Sequence, residues 1–446
     1  MQHRFDTIYR NFTETTKGFK NVAIDSKKII VRRFMRPDVD RLIRIARSCK
    51  LPERFEEMSW SDLRVAIEET AVHFPVYRTY VASSITAKDR SIIEKALRET
   101  AKLVGRRQKT AVDLLRHLLI STNAKGNPRY EEFCLRFQQL TPTVSAKGLE
   151  DTVFYRYFPL SSLNEVGGDP SEFGVTVKEF HLENLQIAKD WPNMMLASST
   201  HDTKWSEDSR ARIDVLSEFP KEWRTAINRW SMINLRFKTR VGTNLFPSRN
   251  DEYLLYVALL ATLPDEPSSI SSEFVDRLAG FMRKASKEEK RETGWIESNP
   301  AYDLALEKFV RKVLQSKNHE FLDDINPLFS KVRTFGFYNS LSQLLLKLAC
   351  PGVPDIYQGC ETWNLRMVDP DNRSPVDFGF LVANLRSISR VSSSQDLTRA
   401  LLLHCDDGLI KTYLLKRVLN FRKRNEDIFN FGEYVPIKSS GKRATD

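Results

Sequence analysis

Cysteine is scarce. Cys49, Cys134, Cys350, Cys360 and Cys405 are the only five in 446 residues, odd in number and widely spread. No Cys-x-x-Cys pair and no His/Cys cluster at metal-ligand spacing occurs, which excludes a disulfide framework and a zinc-finger site. Free thiols in a reducing compartment are the expectation. Long apolar runs are also lacking. None approaches the ~18 residues needed to cross a bilayer, and the opening Met1-Gln2-His3-Arg4-Phe5-Asp6 has no apolar signal-peptide core. A cytoplasmic chain without a membrane partner is therefore expected. The net charge is +11, yet no basic tail, zinc finger or aromatic RNA-binding signature accompanies it. Lys and Arg alternate with Asp and Glu, as in Lys287-Glu288-Glu289-Lys290-Arg291-Glu292, so the excess reads as solvated helix faces. No nucleic-acid partner is expected.

What is present is a long, ordinary globular composition, 41% hydrophobic and 28% charged. The length allows two or three domains, or one barrel with insertions. The stretch that organises the chain is Met194 to Lys204. It opens with apolar and small residues that read as a buried strand and ends in His201-Asp202. A predicted helix, Glu207 to Arg212, follows. Parallel barrels deliver polar side chains to their catalytic rim at such strand ends. The bland alternative is a helix N-cap at Asp202 or Thr203.

Residues 1 to about 73 read as charged helices. Phe74 to Val81, with alternating Val76, Arg78 and Tyr80, reads as a short strand. From 89 to about 121, Ile92, Ile93, Ala96 and Leu97, then Leu114, Leu115, Leu118 and Leu119, fit two antiparallel helices broken near Gly105. Residues 137–170 mix Glu150, Asp151, Tyr155, Arg156 and Tyr157 with a glycine-rich loop, Asn164 to Pro170. Aromatic faces beside charged groups suit a sugar site. A structural loop closed by an Arg156–carboxylate pair is the rival reading. Residues 213–347 read as helices. Gly352 to Gly359 reads as a second strand, opening into a polar loop that carries Gln358, Glu361, Asp369, Asp371 and Arg373. Asp369-x-Asp371-Asn372 lacks the Gly and Glu of a calcium loop, so no metal is expected. The tail holds a basic helix and then Glu433 to Ile437, a predicted strand.

Ten runs in order carry a resemblance: PVYRTYV, RFQQLTP, AKGLEDTVFYRY, SLNEVGGDP, FGV, STHDTK, EDSRAR, NDEYLLY, PGVPDIYQG and VDPDNRSPVDF. Together they resemble the maltooligosyltrehalose synthase family of the α-amylase superfamily, from about Phe74 to Phe431. The resemblance implies an α/β fold: a partial (β/α)8 TIM barrel of α-amylase type, with large helical insertions and a truncated C-terminal β-domain. The implied segments are 1–73, helical insertion; 74–200, barrel strands and helical insertion; 201–350, mainly helical; 351–410, last barrel strand and its loop and helix; and 411–446, start of the β-domain. The implied reaction moves the reducing-end glucose of a maltooligosaccharide from an α-1,4 to an α,α-1,1 linkage. It is a retaining, cofactor-free isomerisation in trehalose biosynthesis. Asp202, at the end of strand seven, would be the transition-state-stabilising carboxylate, and His201 would bond sugar hydroxyls. Lys204, Arg78, Glu150, Asp151, Tyr155, Arg156, Tyr157, Gln358, Glu361, Asp369, Asp371 and Arg373 are the candidate substrate contacts. Gly352 to Gly359 would be strand eight and Phe74 to Val81 strand six.

The chain departs from the family at the chemistry itself. The superfamily's nucleophile lies in a Gly-x-Arg-x-Asp segment on strand four and its acid on strand five, and neither motif occurs here. An inactive fragment is therefore expected, or one complemented by a separate chain that supplies the missing strands. The alternatives are another α-amylase-type glucanotransferase or hydrolase, and a non-catalytic glucan-binding remnant.

Overall fold

Apolar residues at helical spacing dictate most of the architecture. The computed structural model describes residues 2–55, 58–81, 84–120, 128–264, 270–315, 317–389, 394–437 and 440–441. They divide into two compact units, one of residues 16–157 with 288–294, the other of 1–15, 158–287 and 295–446.

The first unit is helical. Its helices include Arg36–Arg47, Trp60–Val72, Ala87–Leu103, Lys109–Ile120 and Pro128–Ser145. Leu63, Ala66 and Ile67 meet Ile93, Ala96 and Leu97, and Leu114, Leu115, Phe133 and Phe137 complete the core. The two antiparallel helices around Gly105 form as expected. The Thr86 hydroxyl starts the first of them by accepting from Asp89 N–H at 3.0 Å. The strand expected over Phe74–Val81 does not form. The backbone bends at Pro75–Tyr77, and Val81 is held by a side chain: Val81 N–H donates to Gln138 Oε1 at 2.7 Å, and Gln138 Nε2 donates to Val81 O at 2.8 Å. One amide group replaces the neighbouring strand.

The second unit is also mainly helical. The Arg249–Thr262 helix is buried from Asn250 to its end, and Trp223, Trp230, Tyr253 and Tyr256 pack edge-to-face around it. Among the described residues the strands form two sheets of two strands each. One is a hairpin, β2 (Thr239–Val241) with β3 (Asn244–Phe246). The other pairs β1 (Met195–Leu196) with β4 (Val353–Pro354) in parallel, Met195 opposite Val353. Among the described residues this is the one parallel pair, and the expected barrel is not seen. The predicted buried strand is instead partly open: Met195 is 66% and Val353 49% exposed, and among the described residues no further strand pairs with either. Glu433 to Ile437 likewise forms no strand, and Val435 and Ile437 are exposed.

Gly352 makes the close approach between the paired strands possible. Its φ is +117°, and a Cβ there would lie 2.6 Å from Met194 O, the acceptor of Val353 N–H. Gly352→Ala is expected to cost about 2 kcal/mol through strain and the displaced strand. A thermal melt checks this, and an unchanged midpoint would remove the strain argument.

Candidate functional site

The site grows from the C-terminal ends of β1 and β4. After β1 the backbone turns sharply at Thr200-His201-Asp202-Thr203. Thr203 Oγ1 donates to Thr200 O at 3.1 Å and Asp202 N–H donates to Thr200 Oγ1 at 3.2 Å, closing the turn on itself. The following helix, Glu207–Val215, takes Ser206 as its N-cap residue, so neither Asp202 nor Thr203 caps it. His201 and Asp202 are left exposed.

The loop after β4 grips this turn. Asn372 Nδ2 reaches Thr200 O and Thr203 O, each at 3.4 Å, and Arg373 Nε donates to His201 O at 3.1 Å. Ser206 N–H donates to Arg366 O at 3.0 Å, and Trp205 bridges Met367. The loop carboxylates are fixed in turn. Asp371 accepts both Arg277 Nε (2.7 Å) and Nη2 (2.9 Å), and Asp369 accepts Lys284 Nζ at 2.6 Å. Arg373 lies 3.9 Å from Asp369. Glu361 accepts Gly359 N–H at 2.8 Å, and Gln358 is exposed. Thus His201, Asp202, Asp369, Asp371 and Arg373 converge in one unit, beside a buried Lys204.

The remaining candidates belong to the other unit. Arg78 lies over the Tyr80 ring at 4.5 Å, and Glu150 accepts the Tyr77 hydroxyl. Asp151 pairs with Lys147 at 2.6 Å. Tyr155 and Tyr157 are buried, and buried Arg156 donates to Glu289 O (2.5 Å) and Lys290 O (3.0 Å).

Beneath the turn lies a charge cluster that sequence reasoning did not single out. Lys411, fully buried, donates to Glu207 Oε1 at 2.7 Å, to Asp208 Oδ2 at 2.7 Å and to Thr362 O at 3.2 Å. Lys347 Nζ joins the two strand ends, bonding Ser198 Oγ (2.6 Å), Glu207 Oε2 (3.3 Å) and Asp355 O (3.0 Å). Burial pushes the Glu207 carboxyl upward, but the Lys411 and Lys347 ammoniums outweigh it and hold the group at about 2. Asp208, enclosed and sharing Lys411 with Glu207, is pushed above the usual aspartate value by burial. Burial acts to lower Lys411, and Asp208 and Glu207 reverse it, raising the group. The available signal was spacing: Lys411, Leu414, Leu415 and Val418 fall on one helical face, and Leu414, Leu415 and Val418 pack in one apolar cluster. Among the described residues no group of three His, Cys, Asp or Glu side chains could hold a metal, and no helix is long and apolar enough to cross a membrane.

No family model matches the chain. Five solved structures share its fold. One maltooligosyl trehalose synthase superimposes on 96% of this chain with a TM-score of 0.74 at 30% identity, and the match covers 51% of that protein. The maltooligosyltrehalose synthase of Arthrobacter ramosus gives 0.76 at 28% identity over 96% of this chain and 50% of its own. The chain shares the architecture of the part of these neighbours that it matches. In sequence, a Mycobacterium tuberculosis (strain CDC 1551 / Oshkosh) protein provisionally named maltooligosyl trehalose synthase is 33% identical over 327 residues, 73% of this chain and 38% of the relative. The chain is a homologue of maltooligosyl trehalose synthase over most of its length. It spans about half the length of the solved structures it matches.

Proposed function

We propose that this chain supplies the hydroxyl-binding rim and the stabilising carboxylate of a maltooligosaccharide isomerase in trehalose biosynthesis. The reaction is an intramolecular transglycosylation. The glycosidic bond to the reducing-end glucose breaks with formation of a glycosyl–carboxylate bond. The 1-hydroxyl of that same glucose then displaces the carboxylate, giving an α,α-1,1 linkage with retention. Asp202 stabilises the oxocarbenium-like transition states, and His201 bonds sugar hydroxyls at the cleaved unit. The nucleophile and the acid are contributed by polypeptide outside these 446 residues, where the relatives' unmatched length provides room for them.

The observation that carries this reading is the exposed His201–Asp202 turn at the carboxyl ends of a parallel strand pair, gripped by Asn372 and Arg373. In α/β folds of this kind chemistry is done at that end of the strands. We take β1 and β4 as adjacent strands of an α-amylase-type barrel. Parallel sheets are buried on both faces, and the exposure of Met194, Met195 and Val353 is what such a pair shows before its neighbours cover it.

Maltohexaose incubated with the chain alone is expected to give no turnover. Adding a polypeptide with the strand-four Asp and strand-five Glu of a relative is expected to restore loss of reducing ends without shortening of the glucan. Turnover by the chain alone would overturn the assignment of the nucleophile, and glucan shortening would point to a hydrolase or glucanotransferase.

A further inference from the structure

The glycine-rich loop Asn164 to Pro170 carries a largely enclosed carboxylate, that of Glu165. Both oxygens of Glu165 accept the Lys204 backbone N–H, at 3.1 and 3.2 Å. The same carboxylate accepts Val166 N–H at 2.9 Å and faces Arg210 at 3.4 Å. Arg210 in turn donates to Ser198 O, just past the end of β1. Glu165 therefore joins Lys204, the residue just after the His201–Asp202 turn and 39 positions along the sequence, to the strand that delivers the turn. Its side chain is only 16% exposed, and burial acts to raise its pKa while Arg210 and the two backbone N–H donors oppose that. A buried carboxylate satisfied by backbone N–H groups acts as a brace. The turn is held on its other side by Asn372 and Arg373.

We propose that Glu165 is a positioning residue for Asp202, fixing the turn so that its carboxylate stays aimed into the rim. The proposal deepens the functional reading above and rests on it. A catalytic group must be held to within about 0.5 Å of its productive place by residues that do not themselves react. A loosened turn should therefore lower turnover with little change in substrate binding.

The test compares Glu165→Ala and Glu165→Gln in the full chain. Gln keeps a carbonyl oxygen for Lys204 N–H and loses the charge facing Arg210, and Ala loses both. Hydrogen exchange is read by mass spectrometry over the peptide spanning 197–205, with the Arg249–Thr262 helix as internal reference. Turnover of maltohexaose is read in the complemented mixture. In Glu165→Ala, exchange of the turn is expected to rise about tenfold or more while the reference helix is unchanged. kcat is expected to fall about tenfold or more with KM within about threefold, and Glu165→Gln should recover part of both effects. Unchanged exchange in the turn, or a rise spread equally over the reference helix, would overturn the positioning role even if Asp202→Asn abolishes turnover. A loosened turn with full turnover would instead remove Asp202 from the reaction, and the functional reading would fall with the proposal.

Discussion

Lys411→Met is expected to destabilise the chain by about 3–5 kcal/mol, the usual cost of removing one partner from a buried ion pair. Lys411 has no exposure and spends its three N–H groups on Glu207, Asp208 and Thr362 O. The native cluster balances two ammoniums, Lys347 and Lys411, against two carboxylates. The variant leaves two carboxylates against one ammonium, Lys347, which bonds Glu207. Met fills much of the same volume, so the loss is electrostatic rather than a cavity. The control is Lys411→Met with Glu207→Gln, which restores neutrality and should recover 1 kcal/mol or more, on the order of a coupling between contacting groups. Denaturant unfolding checks both. An additive double variant would mean that the carboxylates do not share the cation.

The pH dependence has a definite sign. Glu207 is held at about 2, below its ordinary 4.5, so its contribution is complete above 4.5 and is lost as the pH falls towards about 2. Removing Lys411 takes away one of the two cations that hold it there, so a carboxylate of the variant takes up a proton at higher pH. Protonation then relieves the uncompensated charge. The difference in midpoint between native chain and variant should be widest near neutrality and narrow towards about pH 4. A gap that widens on acidification would contradict this arrangement.

The helices were legible because burial there needs only one period. Ile93, Ala96 and Leu97, or Leu114, Leu115, Leu118 and Leu119, declare their face without reference to the rest of the fold. Strands depend on what lies beside them. The alternation Val76, Arg78, Tyr80 reads as a strand, yet the partner of Val81 is the Gln138 side chain, and no local pattern encodes that. The apolar run at Met194 does pair, but for two residues, and Met195 stays exposed. The site divides in the same way. His201–Asp202 could be read because polar residues ending an apolar run are conspicuous. Lys411, Glu207 and Glu165 could not be read as one arrangement, since each looks like a solvated charge until residues 39 or 204 positions away are brought against it.

Asp202→Asn in the complemented enzyme is expected to cut kcat by about 10³-fold, the scale on which one preorganised electrostatic group acts at a transition state. The amide keeps the size and one oxygen of the carboxylate, so hydroxyl contacts in the ground state survive and KM should stay within a few-fold. What is lost is the negative charge beside the anomeric carbon, which matters only while that carbon carries positive charge. Stability should hardly change, because Asp202 is exposed and exposed substitutions away from caps and ion pairs are usually within about 0.5 kcal/mol. The combination separates Asp202 from Lys411, where stability falls and any loss of rate follows from it. Single-turnover kinetics with maltohexaose, beside a melting curve of the same sample, decides the matter. Full turnover in Asp202→Asn would strip the turn of its chemical role and leave the rim as a glucan-binding surface.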